Sequence, residues 1–143
     1  MDPQIPRQPP APGSKMEKRK LRVLYAEDDE IVRKVVSALL KMKYTDVEVA
    51  KNGTELFEKL TAPGASYDCV VSDDNMPGKR GQQVFEEIKD MDNLRNLPFV
   101  LITAVPDPAT KQKMEKNGGA CVFKPVGKDA LYAAVEGLVK PKE

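Results

Sequence analysis

From Leu21 onward, short apolar runs alternate with segments whose apolar residues recur every three or four positions. The runs are Leu21–Ala26, Val47–Ala50, Cys69–Ser72, Phe99–Thr103 and Ala120–Phe123. Their length and their β-branched content predict strands. The segments between them predict helices. Val32, Val35, Val36, Leu39 and Leu40 follow an i, i+3, i+4, i+7 stripe. Leu56, Phe57 and Leu60 mark a second helix; Val84, Phe85, Ile88 and Met91 a third; Leu131, Val135, Leu138 and Val139 the last. The fourth, from about Asp107 to Asn117, carries Met114 as its main large apolar residue, so weak packing is expected there.

Boundary residues agree with this division. Asp107 suits the cap of the fourth helix, with Pro108 as its first residue. Gly118-Gly119 suits a left-handed exit, and Gly53 stands just before the second helix. Repeated strand–helix units imply an α/β fold with a mostly parallel sheet covered on both faces. Val47-Glu48-Val49 alternates as an edge strand does. The third and fourth runs are apolar throughout, as strands buried on both faces are.

Polar residues closing the strands carry the chemistry. Glu27-Asp28-Asp29 follow the first run. Asp73 follows the third, Thr103 ends the fourth, and Lys124-Pro125 follow the fifth. Ligands of open α/β sheets bind at the carboxyl ends of the strands, where these residues would converge. Three carboxylates suit a hard divalent cation such as Mg²⁺ or Mn²⁺, with one more oxygen from a backbone carbonyl just past Asp73 and water for the rest. A cation would relieve the repulsion among the acids. Lys124 is the counter-charge for Asp73, and for a phosphoryl group on it. Thr103 offers a hydroxyl to the same group. The plainer readings are helix capping by the first three acids, which Asp29 suits best, a solvated turn lysine, and a threonine present for its strand propensity. The joint placement favours the chemical reading.

Composition narrows the field. With 143 residues, 41% of them hydrophobic, and a formal net charge of +1, the chain suits one soluble domain and gives no reason to expect nucleic acid or membrane as partner. No apolar run approaches the roughly 20 residues of a membrane span. Without a secretory leader, a cytoplasmic location is expected. The chain holds no histidine, which excludes histidine-paired nucleophiles within it and disfavours zinc. Its two cysteines, Cys69 and Cys121, lie in strand-like runs and read as small buried hydrophobes.

Residues 1–20 stand apart. Pro3, Pro6, Pro9, Pro10 and Pro12 punctuate a polar stretch that turns basic at Lys15, Lys18, Arg19 and Lys20. Such a segment cannot bury enough apolar area to order itself. It reads as a disordered linker or a segment left from expression, with Met16 then the natural start. Pro6-Arg7-Gln8-Pro9 also fits a PxxP ligand. Domain limits are therefore placed at 21–139, with a tail at 140–143.

Val-Leu-Tyr-Ala-Glu-Asp-Asp at 23–29, Ser-Asp-Asp-Asn-Met-Pro-Gly at 72–78, Ile-Thr-Ala at 102–104 and Phe-Lys-Pro at 123–125 together resemble the receiver domain of two-component response regulators. The stretch around Asp73 is similar to the single-domain chemotaxis regulators. The resemblance implies a flavodoxin-like (βα)5 three-layer sandwich with a five-stranded parallel sheet in the order 2-1-3-4-5, and a cis Lys124-Pro125 peptide. It implies that Asp73 accepts a phosphoryl group from a sensor histidine kinase or histidine phosphotransfer protein. Glu27, Asp28, Asp73 and the backbone carbonyl of Asn75 would hold Mg²⁺ or Mn²⁺, and Thr103 and Lys124 would contact the phosphoryl group. Phosphorylation would switch binding to a downstream effector protein or output domain, so the chain would be a signalling domain rather than an enzyme. The missing histidine fits, since the phosphohistidine comes from outside. Strand order also separates Cys69 from Cys121 by two strand spacings of about 4.8 Å, beyond the reach of a disulfide. No output domain follows Val139, which suggests a stand-alone regulator or an excised receiver.

Three positions depart from the pattern. Cys121 replaces the aromatic residue usual three positions before the lysine, and Phe123, on the same strand face, is its nearest substitute. Pro106 and Pro108 bracket Asp107 and should stiffen the loop that moves on phosphorylation. Val105, two positions past Thr103, cannot orient an attacking water, so slow self-dephosphorylation is expected. Two other readings compete: a receiver-like interaction module that works without phosphorylation, and an enzyme or ligand binder on the same architecture. Acids after the first strand repel the phosphate of an FMN site unless a metal intervenes. Asp73-Asp74-Asn75 lacks the Asp-x-Asp of haloacid-dehalogenase-like phosphatases.

Overall fold

The computed structural model describes residues 18–105 and 107–139. The readings of the Pro-rich start up to residue 17, of Pro106 and of the tail at 140–143 lie outside the described residues. Five strand–helix units follow one another: β1 (Arg19–Ala26), α1 (Glu30–Lys43), β2 (Tyr44–Ala50), α2 (Gly53–Thr61), β3 (Cys69–Asp73), α3 (Gly81–Ile88), β4 (Phe99–Thr103), α4 (Pro108–Lys116), β5 (Gly119–Phe123) and α5 (Lys128–Leu138). All strand pairs are parallel, in the order β2-β1-β3-β4-β5. The expected flavodoxin-like topology is thus the one observed.

Two apolar layers sandwich the sheet, because successive strand side chains point to opposite faces. Leu24, Val70, Phe99 and Leu101 pack with Leu56, Leu60, Val84, Phe85, Ile88 and Met114 of α2, α3 and α4. Val23, Tyr25, Val71, Val100 and Ile102 pack with Val36, Leu40, Leu131 and Val135 of α1 and α5. Phe85 meets Phe99 edge-on, with ring centroids 5.1 Å apart, in the first layer. Both β3 and β4 are buried along their whole length, as their unbroken apolar runs require.

Local signals explain the helix starts. The Asp29 carboxylate caps α1 by accepting from the amide of Val32 at 3.0 Å. Asn52 caps α2 and Asp107 caps α4, each contact worth about 1 kcal/mol. Gly118 leaves α4 with φ of 88°, the left-handed turn expected of it. Gly81 opens α3 hard against the end of β3: a Cβ there would lie 2.5 Å from the carbonyl oxygen of Asp73. Only a glycine lets the helix approach that strand end so closely.

Several details correct the sequence reading. Both β1 and β2 begin earlier than their apolar runs, since Arg19 pairs with Tyr44 through backbone bonds that need no apolar side chain. Gly53 is the first residue of α2 rather than the one before it. Met91 packs against the core from beyond the end of α3. Val35 is 56% exposed although it lies on the apolar stripe of α1, because the contact with the sheet is narrower than the stripe. Cys69 is buried, but Cys121 is only partly so. Its strand lies at the sheet edge and is covered on that face by α4, whose only buried residue is Met114. Both thiols are free, as the strand order demands.

Candidate metal and phosphoacceptor site

The carboxyl ends of β1, β3, β4 and β5 form one rim, and each predicted polar residue stands on it. Glu27 leaves β1 with its amide bonded to the carbonyl of Ala50 at 3.1 Å. Its side chain is 2% exposed, and Oε2 accepts from the amide of Asp29 at 3.1 Å. Asp28 is exposed beside it. Asp73 ends β3, also 2% exposed. Carboxylate oxygens of Glu27, Asp28 and Asp73 all lie within 4.8 Å of one another.

Lys124 completes the cluster. Its amide bonds to the carbonyl of Thr103 at 2.9 Å, extending the ladder past β5, and its peptide to Pro125 is cis as expected. Its ammonium nitrogen sits 2.8 Å from Oδ1 of Asp73. Thr103 ends β4, largely buried, and its Oγ1 accepts from the amide of Val105 at 3.2 Å. Glu27, Asp28, Asp73, Asn75, Thr103, Val105 and Lys124 line a single crevice of about 480 Å³. Every site residue read from the sequence therefore comes together; Asp29 lines the same crevice but spends Oδ1 as a helix cap.

Two contributors escaped the sequence reading. The buried Asp74 carboxylate accepts from Arg80 at 2.6 Å and from the amide and side chain of Gln82 at 3.0 and 3.1 Å. It thereby anchors the start of α3 beside the crevice. An aspartate acting eight residues along the chain leaves no local spacing by which to recognise it. Tyr25 is the other; its hydroxyl is buried without a partner among the described residues.

Electrostatics mark the rim as a place waiting for positive charge. Burial pushes the Glu27 carboxyl up to about 7, with Asp73 and Asp28 adding to the rise and the Asp29 amide and Lys124 opposing it. Burial also raises Asp73, against the pull of Lys124 and with the push of Asp28 and Asp74. Lys124 loses hydration, yet its hydrogen bond to Asp73 and the charges of Asp73, Glu27 and Asp28 raise its pKa. Glu27 in the fold binds a proton more tightly than in the unfolded chain, where its value is 4.5. Its contribution is greatest below that value and is lost as pH rises to about 7. Chelator-treated protein should therefore show a lower denaturation midpoint at about pH 8 than at about pH 5, and Glu27→Gln should flatten the trend. A midpoint that climbs over that interval contradicts this.

Comparison with known proteins gives the architecture its family. The sequence profile of the response regulator receiver domain matches residues 23–136. A 3',5'-cyclic-nucleotide phosphodiesterase, regA, of Dictyostelium discoideum is 28% identical over 85% of this chain and 16% of its own length. A CpxR homolog, a transcriptional regulatory protein of Haemophilus influenzae, is 28% identical over 83% of this chain and 50% of its own. The chain thus spans half or less of these curated relatives. Chemotaxis protein CheY4 of Vibrio cholerae superposes with a TM-score of 0.73 at 25% identity, covering 84% of this chain and 99% of that one. The Mn²⁺-bound form of response regulator Rcp1 shares the fold, with a TM-score of 0.66 at 21% identity, covering 82% and 90%. Strand order, the acidic rim and the profile match agree: the chain belongs to the response regulator receiver domain family, the phosphoacceptor domain of two-component signalling.

Proposed function

We propose that Asp73 is the residue that takes the phosphoryl group, and that Glu27, Asp28, Asp73 and the backbone carbonyl of Asn75 hold Mg²⁺ or Mn²⁺ beside it. The observation that carries this reading is the Lys124–Asp73 ion pair of 2.8 Å set against two further carboxylates. A buried acid with a lysine partner and two acidic neighbours has no structural need for the second and third acids. An all-oxygen donor set fits a hard divalent ion rather than zinc or copper. When bound, the ion supplies positive charge to the oxygens of the transferring group.

The chain's own residues do the rest. The donor is a phosphohistidine on a sensor histidine kinase or a histidine phosphotransfer protein. A carboxylate oxygen of Asp73 attacks phosphorus in line, the P–N bond breaks as the P–O bond forms, and the leaving imidazole nitrogen takes up a proton. Lys124 moves its contact from the carboxylate to a phosphoryl oxygen. Thr103 gives up its bond to the Val105 amide and donates its hydroxyl proton to another. That exchange shifts the segment after β4, which an effector protein or output domain reads. The reaction needs positioning and charge neutralisation more than covalent help from protein groups. The domain thereby assists its own phosphorylation without turning over as an independent enzyme, and it works in the cytoplasm. Among the described residues, no helix is long and apolar enough to cross a membrane.

Incubation with acetyl phosphate and Mg²⁺, followed by peptide mass spectrometry, should place one phosphoryl group on Asp73. Asp73→Asn should abolish it, as should chelation of the metal. A phosphoryl group on another residue, or none in wild type, contradicts the assignment.

Val105 is 65% exposed at the mouth of the crevice, where it offers water no hydrogen-bond partner from its side chain. The phosphorylated form should be long-lived, and Val105→Glu should shorten its half-life roughly tenfold by helping to orient water. Equal decay of the two proteins contradicts this role.

A further inference from the structure

Beside the acidic crevice, on the side covered by α1, lies a second groove of about 530 Å³. Its walls are apolar: Ile31, Val32, Val35, Ile102 and Val126 among them. Two polar groups, Tyr25 and Glu27, interrupt that lining, with Lys124 at its edge. Tyr25 is fully buried, and Glu27 is 2% exposed. The Tyr25 hydroxyl and Oε1 of Glu27 both lack a hydrogen-bond partner among the described residues.

Unpartnered buried oxygens are uncommon, and two on one wall call for a joint explanation. A phenylalanine at position 25 would fill the same volume without burying an unsatisfied hydroxyl. A tyrosine there is useful only if its O–H has work. At neutral pH that group is a donor, and an ionised carboxylate only accepts. Glu27 already has Oε2 tied to the amide of Asp29 at 3.1 Å, which leaves Oε1 as the atom able to turn.

We propose that Tyr25 is a positioning residue for the acidic centre: its hydroxyl donates to Oε1 of Glu27 when that carboxylate turns to share a cation with Asp28 and Asp73, and holds it in that orientation. The proposal rests on the reading of these acids as the metal site. Groups that orient metal ligands from behind govern affinity without touching the ion. Tyr25 would do so from β1, a central strand, so the orientation is set by the rigid sheet rather than by the loop that carries Asp28.

Mg²⁺ binding to the full chain, measured by isothermal titration calorimetry, separates the possibilities. Tyr25→Phe should weaken Mg²⁺ about tenfold. Its metal-free denaturation midpoint should match or exceed that of wild type, since an unsatisfied hydroxyl is removed. Tyr44→Phe is the control, because it removes a buried hydroxyl bonded to Glu136 at 2.9 Å, away from the acids; it should leave Mg²⁺ affinity unchanged. In protein labelled at the tyrosine ring carbon that bears oxygen, the NMR signal of Tyr25 alone among the four tyrosines should shift with Mg²⁺. Equal Mg²⁺ affinity in wild type and Tyr25→Phe, equal weakening by Tyr44→Phe, or an unmoved Tyr25 signal would overturn the positioning role while leaving the metal reading intact. A wild-type protein that binds no Mg²⁺ would overturn both.

Discussion

The parallel register of the sheet is the constraint from which the rest follows. Parallel strands all end on one edge, so residues far apart in sequence become neighbours without a dedicated scaffold. Val70 pairs with Phe99, and Phe99 pairs with Gly119, which carries Asp73, Thr103 and Lys124 to the same rim. A slip of one residue in β3 would turn Asp73 toward the opposite face of the sheet. Register there is secured by burial of both faces of β3 and β4, where any slip would move whole sets of apolar side chains. The apolar core thus acts as the alignment device of a polar site.

The site that results is a strained electrostatic arrangement held by that core. Glu27 and Asp73 are nearly inaccessible to water, Asp28 stands close by, and Lys124 is the one cation in ion-pair contact with Asp73 among the described residues. Burial raises both buried acids, so each costs free energy in its charged form. A divalent ion and a dianionic phosphoryl group are complementary loads for such a rim: one relieves the acids, the other engages the lysine. Asp74 is a fourth acid whose charge adds to the rise of Asp73, while its own carboxylate is engaged elsewhere. Its carboxylate is satisfied by Arg80 and Gln82, and with Gly81 it anchors α3 next to Asp73.

How much of this was legible in sequence depends on the range of the interaction. Strand ends were legible because Glu27, Asp73, Thr103 and Lys124 each follow an apolar run, a local transition that periodicity exposes. Caps at Asp29 and Asp107 were legible for the same reason. The partial exposure of Val35 and Cys121 was not, since it depends on how widely α1 and α4 cover the sheet. Nor was the role of Asp74, which acts across a loop, or the orphaned hydroxyl of Tyr25, which in sequence is one more aromatic in a strand.

The central claim is that these strand ends gather three carboxylates around one cation. Substoichiometric Mn²⁺ added to isotopically labelled protein tests it most directly, because the ion erases nearby amide signals and spares distant ones. The account predicts selective loss at Glu27 to Asp29, Asp73 to Asn75 and Thr103, with Tyr44 and Val135, toward the other end of the sheet, unaffected. Loss centred elsewhere, or uniform broadening over the chain, would contradict it.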